Sequence, residues 1–169
     1  MFNRQNRNFP LLSLKARALR ALSQREYSRQ ELSKKLAPYE TEEGELVRVL
    51  NELESKDFLN ETRNAQSIAS RKESKFGTRR IQAEMKQKGV PTDIAENVLA
   101  DLSQTELARA QNLWQKKFGA LPVTPKEADQ QMRYMITRGF SIQLLKTIYA
   151  TFKAEGPMTH TIEPHFSAD

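Results

Sequence analysis

Apolar residues in this chain return at intervals of three and four, and the pattern is stated three times in altered wording. The first copy runs Ser28, Glu31, Leu32 and Leu36, then Val47, Leu50 and Leu53. In the second, Gly77 and Ile81 lead into Glu84, Met85, Lys88, Gly89 and Val90, then Ile94, Val98 and Leu102. The third has Gln131, Met132, Met135, Gly139 and Phe140, then Ile142, Leu145, Ile148 and Phe152. That spacing is helical, and no long segment alternates with period two, so the prediction is an all-α protein. A unit copied in this way predicts an elongated array of three tandem three-helix repeats that lays a surface along a partner.

Start and stop signals divide the copies into helices. The first helix is predicted from Leu11 to Gln24, with Leu14, Ala18 and Leu22 on one face. Ser28-Arg29-Gln30-Glu31 is a capping box whose helix ends before Pro38. Thr41-Glu42-Glu43 places acid near the start of a third helix striped by Val47, Leu50 and Leu53. In the second repeat Ala65, Ile68 and Ala69 form a weak apolar face, Gly77 allows a turn, and Thr78 caps the next helix. Gly89 is placed as a left-handed helix stop.

Ser103-Gln104-Thr105-Glu106 looks like a further capping box opening the third repeat. Thr124-Pro125-Lys126-Glu127 is the strongest start signal in the chain: a cap, a proline in the first turn, and a glutamate three residues on. The repeats are therefore predicted at 1–56, 57–102 and 103–156, with a disordered tail over 157–169.

Hydrophobic residues form only 38% of the 169, so units of roughly 40–50 residues must lean on their neighbours for a core. No apolar run approaches the roughly 18–20 residues that span a bilayer. The opening segment lacks a long apolar stretch and makes a poor secretory signal. The absence of cysteine excludes disulfides, thiolate catalysis and the usual structural zinc sites, which fits a cytoplasmic protein.

The net charge of +6 hides a segregation. Residues 1–36 carry nine basic against two acidic residues, 37–70 three against eight, 71–90 seven against two, and 91–169 eight against nine. Two basic stretches separated by an acidic one point to a polyanion on one surface. The candidates are Arg71, Lys72, Lys75, Arg79 and Arg80, joined by Arg17, Arg20, Arg25, Arg29, Lys34 and Lys35 from the first repeat. Their cationic heads neutralise phosphates, and the N–H groups of the helix start at Thr78 would add donors. The bland alternative is an ordinary solvated face.

Catalysis finds no support. Most of the acidic residues between Glu40 and Glu61 sit at helix starts or on solvated faces, no nucleophile–base pair is legible, and the six glycines are scattered rather than gathered in a phosphate loop. His160 and His165 flank Pro164 near the C-terminus without a third strong ligand close by, so the expectation is a tail and no metal or cofactor. Phe76, Trp114, Phe118, Phe140, Tyr149 and Phe152 fall at helical spacings or beside turn glycines and read as core, so backbone contacts are expected rather than base readout.

Taken in order, these residues resemble the RecX proteins. The likeness is carried by Ala18-Leu19-Arg20-Ala21-Leu22, Arg25-Glu26-Tyr27-Ser28-Arg29-Gln30-Glu31-Leu32 and Leu36. It continues through Phe58-Leu59-Asn60-Glu61, Ala65, Arg71, Gly77, Arg79-Arg80-Ile81, Glu84-Met85, Lys88-Gly89-Val90 and Arg138-Gly139-Phe140-Ser141. It covers about residues 11–153. Asp57 stands where a glycine often precedes the aromatic-leucine pair, and Asn64 where an aromatic is common.

The resemblance implies a non-enzymatic modulator, mainly an inhibitor, of the RecA recombinase. Such a protein occupies the groove of the RecA–single-stranded DNA filament and suppresses strand exchange and ATP hydrolysis. The expected partners are the recombinase filament, the single-stranded DNA within it and free DNA; no membrane is expected, and the protein is expected to be a monomer. The competing readings are a helical regulator acting on duplex DNA without a recombinase, which usually needs a base-reading helix and a dimer, and a pure protein scaffold.

Overall fold

The computed structural model describes residues 12–155, and among these it contains nine α-helices and no strand. They are α1 (Leu14–Leu22), α2 (Arg29–Leu36), α3 (Glu45–Ser55), α4 (Glu61–Lys72), α5 (Thr78–Gln87), α6 (Thr92–Gln104), α7 (Glu106–Lys117), α8 (Pro125–Thr137) and α9 (Ile142–Glu155). A short 3-10 turn, Ala37–Tyr39, follows α2. The tail predicted at 157–169, with its two histidines, lies outside the described residues.

Local signals explain most boundaries. Ser13 caps the start of α1 and Ser23 follows its last residue, so that helix is shorter at both ends than its apolar run suggests. At α2 both arms of the capping box form: Ser28 Oγ accepts from the Glu31 N–H, and the Glu31 carboxylate accepts from the Ser28 N–H. Thr124 Oγ1 likewise accepts from the Glu127 N–H, and Pro125 occupies the first turn of α8. Gly89 and Gly139 take left-handed conformations, and the next residues, Val90 and Phe140, donate back to the carbonyls of Met85 and Met135.

Five expectations change. Thr78 is the first residue of α5 and not its cap. Gly44, with φ of 78°, starts α3 at Glu45, so Thr41–Glu43 precede the helix and Glu45 is its first-turn acid. The buried stripe of α3 is Leu46, Val49, Leu50 and Leu53, whereas Val47 is 54% exposed because it sits one residue, about 100° of helix rotation, off that face. Ser103 and Gln104 belong to α6, and Ser103 Oγ donates to the Ala100 carbonyl, so no capping box forms there. Gly77 has no left-handed conformation; a Cβ on it would lie 2.5–2.7 Å from the backbone of Gly139 and Phe140, so close approach is what requires glycine.

The chain folds as two compact units that cut across the repeats. One takes the chain up to Ala69 together with Ala83–Val98; the other takes Ser70–Gln82 together with the chain from Leu99 onward. In the first unit Leu14 and Ala18 of α1, Leu32 and Leu36 of α2, and the stripe of α3 form one apolar cluster, closed by Tyr27 and Leu59. In the second unit Trp114, Met135, Phe140, Leu145 and Ile148 pack together. Gln131 is buried in that second core. Its Oε1 accepts from Trp114 Nε1 (2.7 Å) and the Tyr149 hydroxyl (2.8 Å), and its Nε2 donates to the Ala120 carbonyl (3.1 Å), so every polar group there is satisfied.

Each unit contains the same helix joint. In the first, the start of α2 meets the end of α5: Ser28 Oγ donates to the Lys88 carbonyl, and Glu61 at the start of α4 accepts from the Arg29 N–H at 2.6 Å. In the second, the start of α5 meets the end of α8: the Gly77 N–H donates to the Arg138 carbonyl at 2.8 Å, and Glu106 at the start of α7 accepts from the Thr78 N–H at 2.7 Å. Opposite ends of two helix dipoles face each other, and a carboxylate sits at the positive end.

Candidate nucleic-acid interface

The two candidate basic clusters lie one in each unit. In the second unit Arg71 and Lys72 end α4, Lys75 lies in the following turn, and Arg79 and Arg80 occupy the first turn of α5. Phe76 is flanked by cations: the Lys72 ammonium is 5.4 Å and the Arg80 guanidinium 4.7 Å from its ring centre. Arg80 also donates to the Thr137 carbonyl at 2.8 Å, so its head is anchored. Lys75 and Arg79 are exposed.

Sequence patterning did not single out Arg109, the residue that shapes this cluster. From α7 it donates to the carbonyls of Glu73 (2.9 Å), Phe76 (3.0 Å) and Leu102 (3.0 Å), pinning the turn that carries Lys75. Burial pulls its pKa below the ordinary arginine value, against the charges of Glu106 and Glu73. Its partners lie more than thirty residues away along the chain or on the preceding helix, so no local pattern announces it. The helix-start donors expected to face a phosphate are engaged internally, since the N–H groups of Gly77, Thr78 and Arg80 go to Arg138, Glu106 and Gly77 respectively.

In the first unit the candidates separate into two kinds. Arg25 is paired with Glu31 at 3.2 Å and stacks over the Tyr27 ring, 3.6 Å from its centre. Arg29 binds Glu54 and the Asn51 side chain. These two arginines hold the fold. Burial opposes the Glu31 charge, but hydrogen bonds from Arg25 and the Ser28 N–H, with the charge of Lys88, outweigh it and hold the carboxyl below the usual glutamate range. Arg20, Lys34 and Lys35 are exposed, and Arg17 lies over the Tyr39 ring at 4.2 Å while its Nε donates to the Leu12 carbonyl at 3.1 Å.

The arrangement can bind anions, and nothing in it suggests bond-making chemistry. Among the described residues no group of three or more His, Asp or Glu side chains could hold a metal ion, and no helix is long and apolar enough to cross a membrane.

Known proteins share this architecture. A family model for the second three-helix domain of RecX matches residues 60–99, and one for the third three-helix domain matches residues 104–147. The chain is 42% identical to the regulatory protein RecX of Leptothrix cholodnii, over 83% of this chain and 90% of that one. It is 43% identical to the regulatory protein RecX of Chromobacterium violaceum, over 82% and 90%. The crystal structure of RecX from Lactobacillus salivarius superposes with a TM-score of 0.72, covering 83% of this chain and 95% of that one at 20% identity, which speaks to the fold. With identity of this degree sustained along most of both chains, and the second and third three-helix domains matched in order, the chain belongs to the RecX family.

Proposed function

We propose that this protein is a regulator of the RecA recombinase that acts mainly as an inhibitor, without enzymatic activity of its own. It binds in the groove of the RecA–single-stranded DNA filament in the cytoplasm, as a monomer of three helical repeats spanning 1–56, 57–102 and 103–156, and suppresses strand exchange and ATP hydrolysis. The observation that carries this reading is the sustained identity to regulatory RecX proteins. The physical support is the division of labour among the cations. Arg25 and Arg29 are paired with carboxylates and the exposed Arg80 is tied to a carbonyl, while Arg20, Lys34, Lys35, Lys75 and Arg79 face outward, where they neutralise phosphates and release counterions.

The direct test adds the purified protein to RecA on single-stranded DNA and follows ATP hydrolysis and strand exchange. Dose-dependent suppression of both is expected; unchanged rates at saturating protein would sink the proposal. Binding separates it from the duplex-regulator reading. The filament should be bound more tightly than bare single-stranded or duplex DNA, and equal affinity for all three would favour the rival. Converting Lys75 and Arg79 to Gln should flatten the log–log salt dependence by about 1.4 for two lost single-strand phosphate contacts.

A further inference from the structure

A concave face of the first unit combines shape, charge and an aromatic ring. It is a cavity of about 330 Å³ between α1, the end of α2 and the 3-10 turn, lined among others by Arg17, Arg20, Gln24, Lys35, Leu36 and Tyr39. Pockets for small ligands start at about 300 Å³, so there is room for one compact unit and little more.

Among the described residues no carboxylate lines it. The neighbouring cations Lys15, Arg25 and Arg29 each have an acidic partner, in Glu52, Glu31 and Glu54. Among the described residues none pairs with Arg20 or Lys35. Cationic heads gathered without a counter-charge raise the local potential and favour an anion between them.

The ring adds a second demand. Tyr39 is 49% exposed and follows Pro38, whose fixed φ stiffens the turn. Arg17 covers one face of the ring and is itself tethered by the Leu12 carbonyl, so the ring is held in place while part of it stays open to solvent. A flat, half-open aromatic beside unpaired cations suits a ligand that is itself planar and anionic.

We propose that this cavity is a nucleotide subsite, taking one unstacked base against Tyr39 and an adjoining phosphate between Arg20 and Lys35 of a single-stranded nucleic acid. This inference rests on the nucleic-acid part of the proposed function and assigns it a place. A base inside a duplex has both faces stacked and cannot enter a concavity; an unpaired base can. An acidic peptide would satisfy the cations but leave the ring unused.

The test measures fluorescence anisotropy with the full chain and no recombinase, using labelled oligothymidine, a duplex of equal length and a polyglutamate peptide. Oligothymidine should bind best. Tyr39→Ala should weaken it by roughly tenfold, and Tyr39→Phe should bind like the parent because stacking needs only the ring. Arg20→Gln with Lys35→Gln should flatten the salt dependence by about 0.7, for the one phosphate held between them. Unchanged oligothymidine affinity in Tyr39→Ala overturns the subsite, as does polyglutamate or duplex binding as tight as that of oligothymidine. Because recombinase is absent, these outcomes leave the ATPase and strand-exchange test to stand or fall separately.

Discussion

The joints of the two units perform the same task with different chemistry. In the first unit a side chain mediates the meeting: Ser28 Oγ accepts from Glu31 within α2 and donates to the Lys88 carbonyl at the end of α5. In the second unit the backbones meet directly, with the Gly77 N–H on the Arg138 carbonyl and no room for a Cβ between them. Around the first joint Arg25 and Lys88 converge on Glu31, an ion-pair network. Around the second, Arg109 and Arg80 donate to backbone carbonyls instead. Glu61 and Glu106 play matching parts, each reaching the start of a helix in the preceding repeat. What recurs is the docking of a helix start on a helix end, not the residues that accomplish it.

The contrast predicts unequal sensitivity. Gly77→Ala should be the most damaging change, at about 3 kcal/mol in denaturant unfolding, because the obstructing atoms are backbone and cannot rotate away. A cost under about 1 kcal/mol would mean that the second joint is looser than the geometry implies. Arg109→Met should follow, at about 2 kcal/mol, by leaving the carbonyls of Glu73 and Phe76 without their charged donor. It should also speed proteolysis of the turn between α4 and α5. If limited digestion is unaltered there, Arg109 does not hold that turn.

In the first joint, Ser28→Ala should cost about 1 kcal/mol, through the lost cap. Ser28→Gly, which installs the residue of the second joint, also loses the bond to the Lys88 carbonyl but caps better than alanine, so it should cost less than Ser28→Ala, and a thermal melt comparing the two checks the order. The smallest effect concerns pH. Burial raises the Glu61 pKa, opposed by the Arg29 N–H, so Glu61 binds its proton more readily when folded; its contribution to stability falls as pH rises past the ordinary glutamate range into its raised folded range. Glu31 is depressed, and its contribution is lost as pH falls below that range. Urea midpoints should therefore rise slightly on mild acidification and then fall, and Glu61→Gln should abolish the rise. Persistence of the rise in that variant would assign it to another group.

How legible each feature was depended on how local its partners are. The box at Ser28, the cap at Thr124 and the stops at Gly89 and Gly139 complete their hydrogen bonds within a few residues, so spelling and structure agree. Ser103-Gln104-Thr105-Glu106 has the same spelling, but α6 runs on to Gln104 and Glu106 is drawn to Thr78, 28 residues away. Gln131 stands at an apolar position of the third copy, and that anomaly was a usable signal for a polar group satisfied in a core. Among the basic residues, composition located the clusters but could not separate Arg25, which has a carboxylate partner, from Arg20, which has none among the described residues.

Helical period, cap chemistry and the clustering of charge follow from residues within a turn or two of one another, and these the chain determined by itself: an all-α fold in three copies with two basic stretches. The tertiary structure decided which glycine serves conformation and which serves contact, which arginines are held inside and which face out, and that Tyr39 stands beside Arg20 and Lys35 at one cavity. Those outcomes depend on which surfaces meet, and surfaces meet only once helices distant in sequence have packed.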